Sequence, residues 1–188
     1  MVWHVGMIDE EEVSRLAPLV DVISFDFVHD DETIREVFGL DYSPADYSRT
    51  YSMLRRHVPV IPHLTLGLRA GELHGEAKAL RELETLGLDA LVLLVFIPTR
   101  GTRYATCSPP PLDQVAEFLL EARARLPRVP IYLGCMRPGG EYRRRLDVLA
   151  VRAGLNKIVN PAREAVLVAQ ELGLGIQWED ECCVVHRP

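Results

Sequence analysis

The chain has 188 residues, 48% of them hydrophobic and 26% charged, with a formal net charge of −6. That is enough chain for one good core at an ordinary globular balance. The absence of a basic stripe argues against nucleic acid as the main partner, and no apolar run reaches the roughly 18 residues of a membrane span. The opening stretch MVWHVGMIDEEE lacks the basic region and cleavage site of a secretory leader, so a cytoplasmic protein is expected. Four cysteines (Cys107, Cys135, Cys182, Cys183) are irregularly spaced and suggest free thiols or ligands rather than a disulfide framework.

In chain order, VWHVG (Val2–Gly6) reads as a short strand, and DEEEVSRLAPLV (Asp9–Val20) as a helix with acids in its first turn. VISFDFV (Val22–Val28) is a β-rich apolar run. A helix follows at SPADYSRTYSMLRRH, with Ser43 suited to the N-cap and Pro44 to the first helical position. VPVIPHLTLGL (Val58–Leu68) is a strand, and GEAKALRELETLG a helix closed by Gly87. The strand ALVLLVFI (Ala90–Ile97) precedes a helix from about Leu112 to Leu126, and VPIYLGCM (Val129–Met136) precedes the helix EYRRRLDVLAVRAG. KIVN is a short strand, and PAREAVLVAQELG a helix opened by Pro161 and ended by Gly173.

These are six consecutive βα units. Their strands are continuous apolar runs, as strands buried on both faces are, so a parallel sheet with outside helices is expected. A doubly wound open sheet and part of a (β/α)₈ barrel both fit. No Gly-x-Gly-x-x-Gly follows the first strand, which weighs against the dinucleotide-binding version. Either architecture puts function at the C-terminal ends of strands. Those ends offer Asp26; Thr65 and Gly67; Pro98 to Thr102; Gly134, Cys135 and Arg137; and Asn160.

The segments HLTLGL, IPTRGT, YLGCMRPGG and AVRAGLNKIVN occur in this order at successive strand ends. Together they resemble the later part of the radical S-adenosylmethionine (SAM) enzymes of the biotin synthase type. SFDFVHDDETIREVFGLDYSPADY resembles most the archaeal-type two-component lipoyl synthases. The likeness runs from Val2 to about Trp178. It implies a partial (β/α) TIM-type barrel over residues 1–178, the third to eighth units of eight, with a tail at 179–188. It also implies that Thr65, Leu66 and Gly67, with Ile97, Pro98, Gly101 and Thr102, hold SAM, and that Asp26 meets its ribose or the substrate. The loop Pro98–Thr102 would be a backbone clamp for a flat purine; its plain alternative is a tight βα turn. His63 would face the lumen and donate to substrate, with a satisfied core histidine as the alternative. Arg137 would pair with a carboxylate of SAM or substrate, with a surface salt bridge as the alternative.

The same resemblance exposes a departure. Radical SAM chemistry needs a [4Fe–4S] cluster held by a Cys-x-x-x-Cys-x-x-Cys loop, and this sequence has none. The chain is expected not to ligate the cluster alone, and to need a missing N-terminal barrel part or a partner radical SAM subunit. A truncated reading of a longer gene, a split enzyme and a decayed relative would each account for this. Ile61 and Tyr132 stand where biotin synthases carry ligands of a second cluster, which argues against biotin synthase itself. Sulfur insertion into an octanoyl chain on a carrier protein, or on a small molecule, is the implied reaction. A non-catalytic binding or assembly module is the alternative. An unrelated barrel enzyme would want a phosphate loop, for which RPGGEYR is a faint candidate. Cys135, at a strand end, is the better single metal candidate. Cys182 and Cys183 read as poor joint ligands of one iron, or as ordinary tail thiols. His4 reads as His63 does; His29, His57, His74 and His186 are expected to be solvated.

Overall fold

The computed structural model describes residues 1–184, so His186 lies outside the described residues. Six strands form one parallel sheet in sequential order: β1 (Val2–Val5), β2 (Val22–Asp26), β3 (Val60–Leu66), β4 (Leu91–Val95), β5 (Ile131–Leu133) and β6 (Lys157–Ile158). Seven helices alternate with them: α1 (Glu10–Leu16), α2 (Asp31–Thr33), α3 (Pro44–Leu54), α4 (Glu76–Leu86), α5 (Leu112–Arg125), α6 (Gly140–Arg152) and α7 (Arg163–Glu171).

Sequential order settles the architecture that periodicity left open. A doubly wound sheet reverses direction and puts helices on both faces. Here every crossover leads to the next strand, and right-handed crossovers then lay all helices on one face. Side chains of successive strand residues alternate between faces. Phe25, Leu64, Leu66, Leu91 and Leu93 point to the helices and share one core with Tyr51, Leu83 and Leu119. Ile61, Val92, Leu94 and Tyr132 point the other way and form a second cluster that, among the described residues, contains no helix residue. Such a helix-free apolar face is the interior of a barrel, and the chain is a partial (β/α) barrel with β1 and β6 at the sheet's edges.

Local signals explain the element starts. Asp9 caps α1: its carboxylate accepts from Glu12 N at 2.8 Å, and the Glu12 carboxylate accepts from Asp9 N at 3.3 Å. Ser43 and Asp46 make the same reciprocal arrangement at α3, with Pro44 leading the helix. The sequence predicts no element between β2 and α3, yet α2 runs into a π-helical turn at Ile34–Phe38, ended by Gly39 at φ 64°. It is only two turns long, started by the Asp30 carboxylate accepting from Thr33 N at 2.9 Å.

One ion pair joins the last two strands to the last two helices. The Arg137 and Asp147 side chains are both 0% exposed and meet through two hydrogen bonds, of 2.7 and 3.0 Å. Arg137 also donates to the carbonyls of Gly134 at 2.6 Å and Val159 at 2.7 Å, at the ends of β5 and β6. Asp147, on α6, accepts from Ala162 N at 2.8 Å just before α7.

Candidate functional site

Three adjacent strands bring polar side chains to the C-terminal rim of the concave face. Asp26 closes β2 and pairs in register with His63 of β3, while His4 of β1 lies level with Ser24. His4 Nε2 is 3.1 Å from Asp26 Oδ2, and the His4 and His63 rings are 5.6 Å apart. His63 is only 4% exposed. Its Nδ1 lies 3.2 Å from the Ile61 carbonyl, which can only accept, so Nδ1 carries the proton and Nε2 presents its lone pair. That Nε2 faces Cys183 Sγ at 3.8 Å. Burial holds the His63 pKa down to about 4 against the pull of Asp26 in the opposite direction, so the ring is neutral at pH 7. The Cys183 thiol is pushed up to about 12 by burial and by the neighbouring Cys182 and Cys135.

Beside this cluster a cavity of about 200 Å³ opens above the ends of β2 and β3. Asp26, His63 and Thr65 line it from the strands, Val37 and Phe38 from the π-helical turn, and Glu76 from α4. Helical turns of this kind recur at functional sites. His29 lines it too: its ring stacks on Phe27 with centroids 6.1 Å apart, and its Nδ1 is buried with no hydrogen-bond partner among the described residues. The site therefore offers a carboxylate, a neutral imidazole and a second ring nitrogen against an apolar wall, a set suited to binding a small polar-headed molecule.

Of the residues singled out in sequence, Asp26, His63 and Thr65 come together here. The rest are placed elsewhere. Leu66 is buried against the helices. Gly67, at φ 71°, packs on Pro110, and its N–H donates to Glu76 at 2.8 Å. Ile97, Pro98, Gly101 and Thr102 do not line the cavity. Their loop is a self-closed turn: Thr102 N and Oγ1 both donate to the Thr99 carbonyl, at 3.1 and 2.6 Å, and Thr99 Oγ1 donates to Ile97 O. Arg137 needs correcting most. Its guanidinium is enclosed by Asp147 and strand-end carbonyls and its side chain is 0% exposed, so it makes a buried ion pair, where a substrate carboxylate or a surface salt bridge is expected from sequence. Cys135 is exposed at the end of β5. Among the described residues no three His, Cys, Asp or Glu side chains are grouped to hold a metal ion, so these residues do not fit a [4Fe–4S] cluster.

Sequence reasoning missed His29, the His4–Asp26 contact and the return of Cys183 to the concave face. The alternation Phe25–Phe27–His29 was the available signal for the first. The others depend on strand register and on the path of the tail.

The fold and site define a partial (β/α) barrel with a polar cluster and a cavity at the C-terminal ends of its strands. No family model and no curated protein sequence matches the chain. Solved structures of similar fold include a methylornithine synthase (PylB), with TM-score 0.66, 14% identity, and 92% of this chain and 57% of that one covered. An HMG-CoA lyase from Brucella melitensis is similar at TM-score 0.61 and 14% identity, over 92% of this chain and 66% of that one. An oxaloacetate acetylhydrolase follows at TM-score 0.56 and 13% identity, over 90% and 62%. At these identities the likeness shows the barrel scaffold alone, and the chain spans 57% of the first and 66% of the second.

Proposed function

We propose that this chain is the SAM- and substrate-binding portion of a radical SAM enzyme of the biotin/lipoyl synthase type. In this reading it serves sulfur insertion in lipoate biosynthesis, and a polypeptide carrying the remaining barrel units supplies the [4Fe–4S] cluster. The observation that carries the proposal is the open barrel with Asp26, His63 and Thr65 gathered around one cavity at the strand ends. The motif order along the chain and the fold likeness to methylornithine synthase support it. Asp26 and Thr65 would hold hydroxyl groups of SAM, and the apolar stripe of Ile61, Val92 and Leu94 would face a hydrocarbon chain such as octanoyl. When bound, the cluster would supply the electron that cleaves SAM. This chain's own part is to bind, orient and exclude water. A non-catalytic binding module on the same scaffold is favoured by one observation, the burial of Cys183 and Val184 on that apolar face.

The test is anaerobic reconstitution with iron and sulfide, read by iron content and EPR, beside equilibrium dialysis with SAM. The chain should take up SAM without a cluster, and Asp26→Asn should weaken uptake roughly 10- to 100-fold, the worth of a hydrogen bond to a charged group. Absence of SAM uptake would sink the reading. A SAM-responsive cluster on the chain alone would overturn the division of labour.

A further inference from the structure

The tail places two thiols and an imidazole in a row. Cys182 is exposed, Cys183 is 6% exposed, their sulfurs are 3.9 Å apart, and the second sulfur lies 3.8 Å from the His63 Nε2 lone pair. We infer that Cys182 and Cys183 are a reversible redox pair, oxidised to a vicinal disulfide by a small-molecule disulfide, and that closing it withdraws Cys183 from His63.

The chemistry balances with groups already in place. The exposed Cys182 thiolate attacks the external disulfide, forms a mixed disulfide and releases one thiolate. The Cys183 sulfur then attacks that of Cys182 and releases the second thiolate, which takes up the Cys183 proton. The dithiol loses two electrons and two protons, and the external disulfide becomes two thiols. Burial keeps Cys183 a thiol and His63 neutral in the resting state, so the departing thiolate and not the imidazole is the proton's acceptor.

Geometry makes this a switch and not a staple. Adjacent Cα atoms sit about 3.8 Å apart, below the roughly 4.4–6.8 Å that disulfides prefer, so the closed ring is strained and readily reduced. The preceding stretch from Leu174 to Asp180 is exposed and has no regular secondary structure, and Lys157 holds Glu179 at 2.7 Å. The change is therefore confined to the residues beyond that tether. Bond formation draws the sulfurs from 3.9 Å to about 2.05 Å. That pulls Cys183 toward the exposed Cys182 and frees Nε2 at the cavity wall. The inference does not depend on SAM binding.

The test treats the full chain with oxidised glutathione. Reactive thiols should fall from four to two, the intact mass should fall by two hydrogens, and dithiothreitol should reverse both. Cys182→Ser should abolish the loss, and Cys183→Ser should stop at a glutathione adduct on Cys182 with no loss of two hydrogens, while Cys135→Ser and Cys107→Ser should keep the intramolecular disulfide. The His63 Nε2 resonance should move on oxidation in the wild type only. A disulfide mapped to Cys135, a stable glutathione adduct on the wild type that never resolves, or an unmoved His63 resonance would overturn the inference.

Discussion

Replacing Asp147 with alanine should be among the most costly single changes in this molecule. The substitution leaves the Arg137 guanidinium, 0% exposed at its side chain, without its counter-charge, and leaves Ala162 N–H without its acceptor. Removing one partner of a buried pair costs about 3–5 kcal/mol, because the remaining charge is stranded. A domain of this kind has only about 5–15 kcal/mol in total. At about 2–4 °C per kcal/mol, Tm should fall by roughly 6–20 °C. Arg137→Met should cost somewhat less, since Arg143, 3.9 Å from the same carboxylate and partly exposed, retains some compensation. The double variant Arg137→Met/Asp147→Leu should be far less damaging than the two single losses added, because no charge remains buried. Urea unfolding followed by circular dichroism gives all three numbers. A loss below about 1 kcal/mol for Asp147→Ala, or strict additivity in the double variant, would refute the reasoning.

Two further outcomes follow from the site and its support. Burial holds His63 neutral down to about pH 4, whereas the unfolded chain protonates it near 6.5. The unfolded state therefore binds the extra proton first, and stability should drop as pH falls from about 6.5 toward 4, by on the order of 3 kcal/mol. Urea midpoints of wild type and His63→Asn across that window should diverge, with the variant flatter, and parallel curves would contradict the assignment. Gly71→Ala should destabilise by several kcal/mol: Gly71 sits at φ 86°, and a Cβ there would overlap the Ser108 carbonyl oxygen. A soluble variant melting within about 2 °C of wild type would count against that packing.

Most of the fold was legible because parallel strands buried on both faces read as unbroken apolar runs, as LVLLV in β4 does. Ser43 and Pro44 announced α3 through capping chemistry that acts within four residues. Strand ends were less legible. β5 has three residues and β6 two, shorter than the apolar runs VPIYLGCM and KIVN that announce them. The candidate site was legible only in its parts. Asp26 and Thr65 are strand-end positions and His63 a position inside a strand, but Arg137, also at a strand end, turns inward to Asp147, ten residues on. Nor does sequence reveal that the Pro98–Thr102 loop spends its hydroxyls on itself, or that a tail cysteine crosses 120 positions to meet a β3 histidine.

The sequential strand order has a consequence for how the molecule comes apart. Within the sheet, among the described residues, each strand is paired only with its immediate neighbours in the chain. Cooperativity must therefore pass along the sheet from unit to unit, much as it does in a repeat protein. The middle strands β3 and β4 have a partner on both sides, whereas β1 and β6 have one each. Amide protection should then grade outward from a slow centre to fast margins. The polar cluster spans β1 to β3, so it straddles that gradient. His63 belongs to the part that opens last, and His4 to the part that opens first.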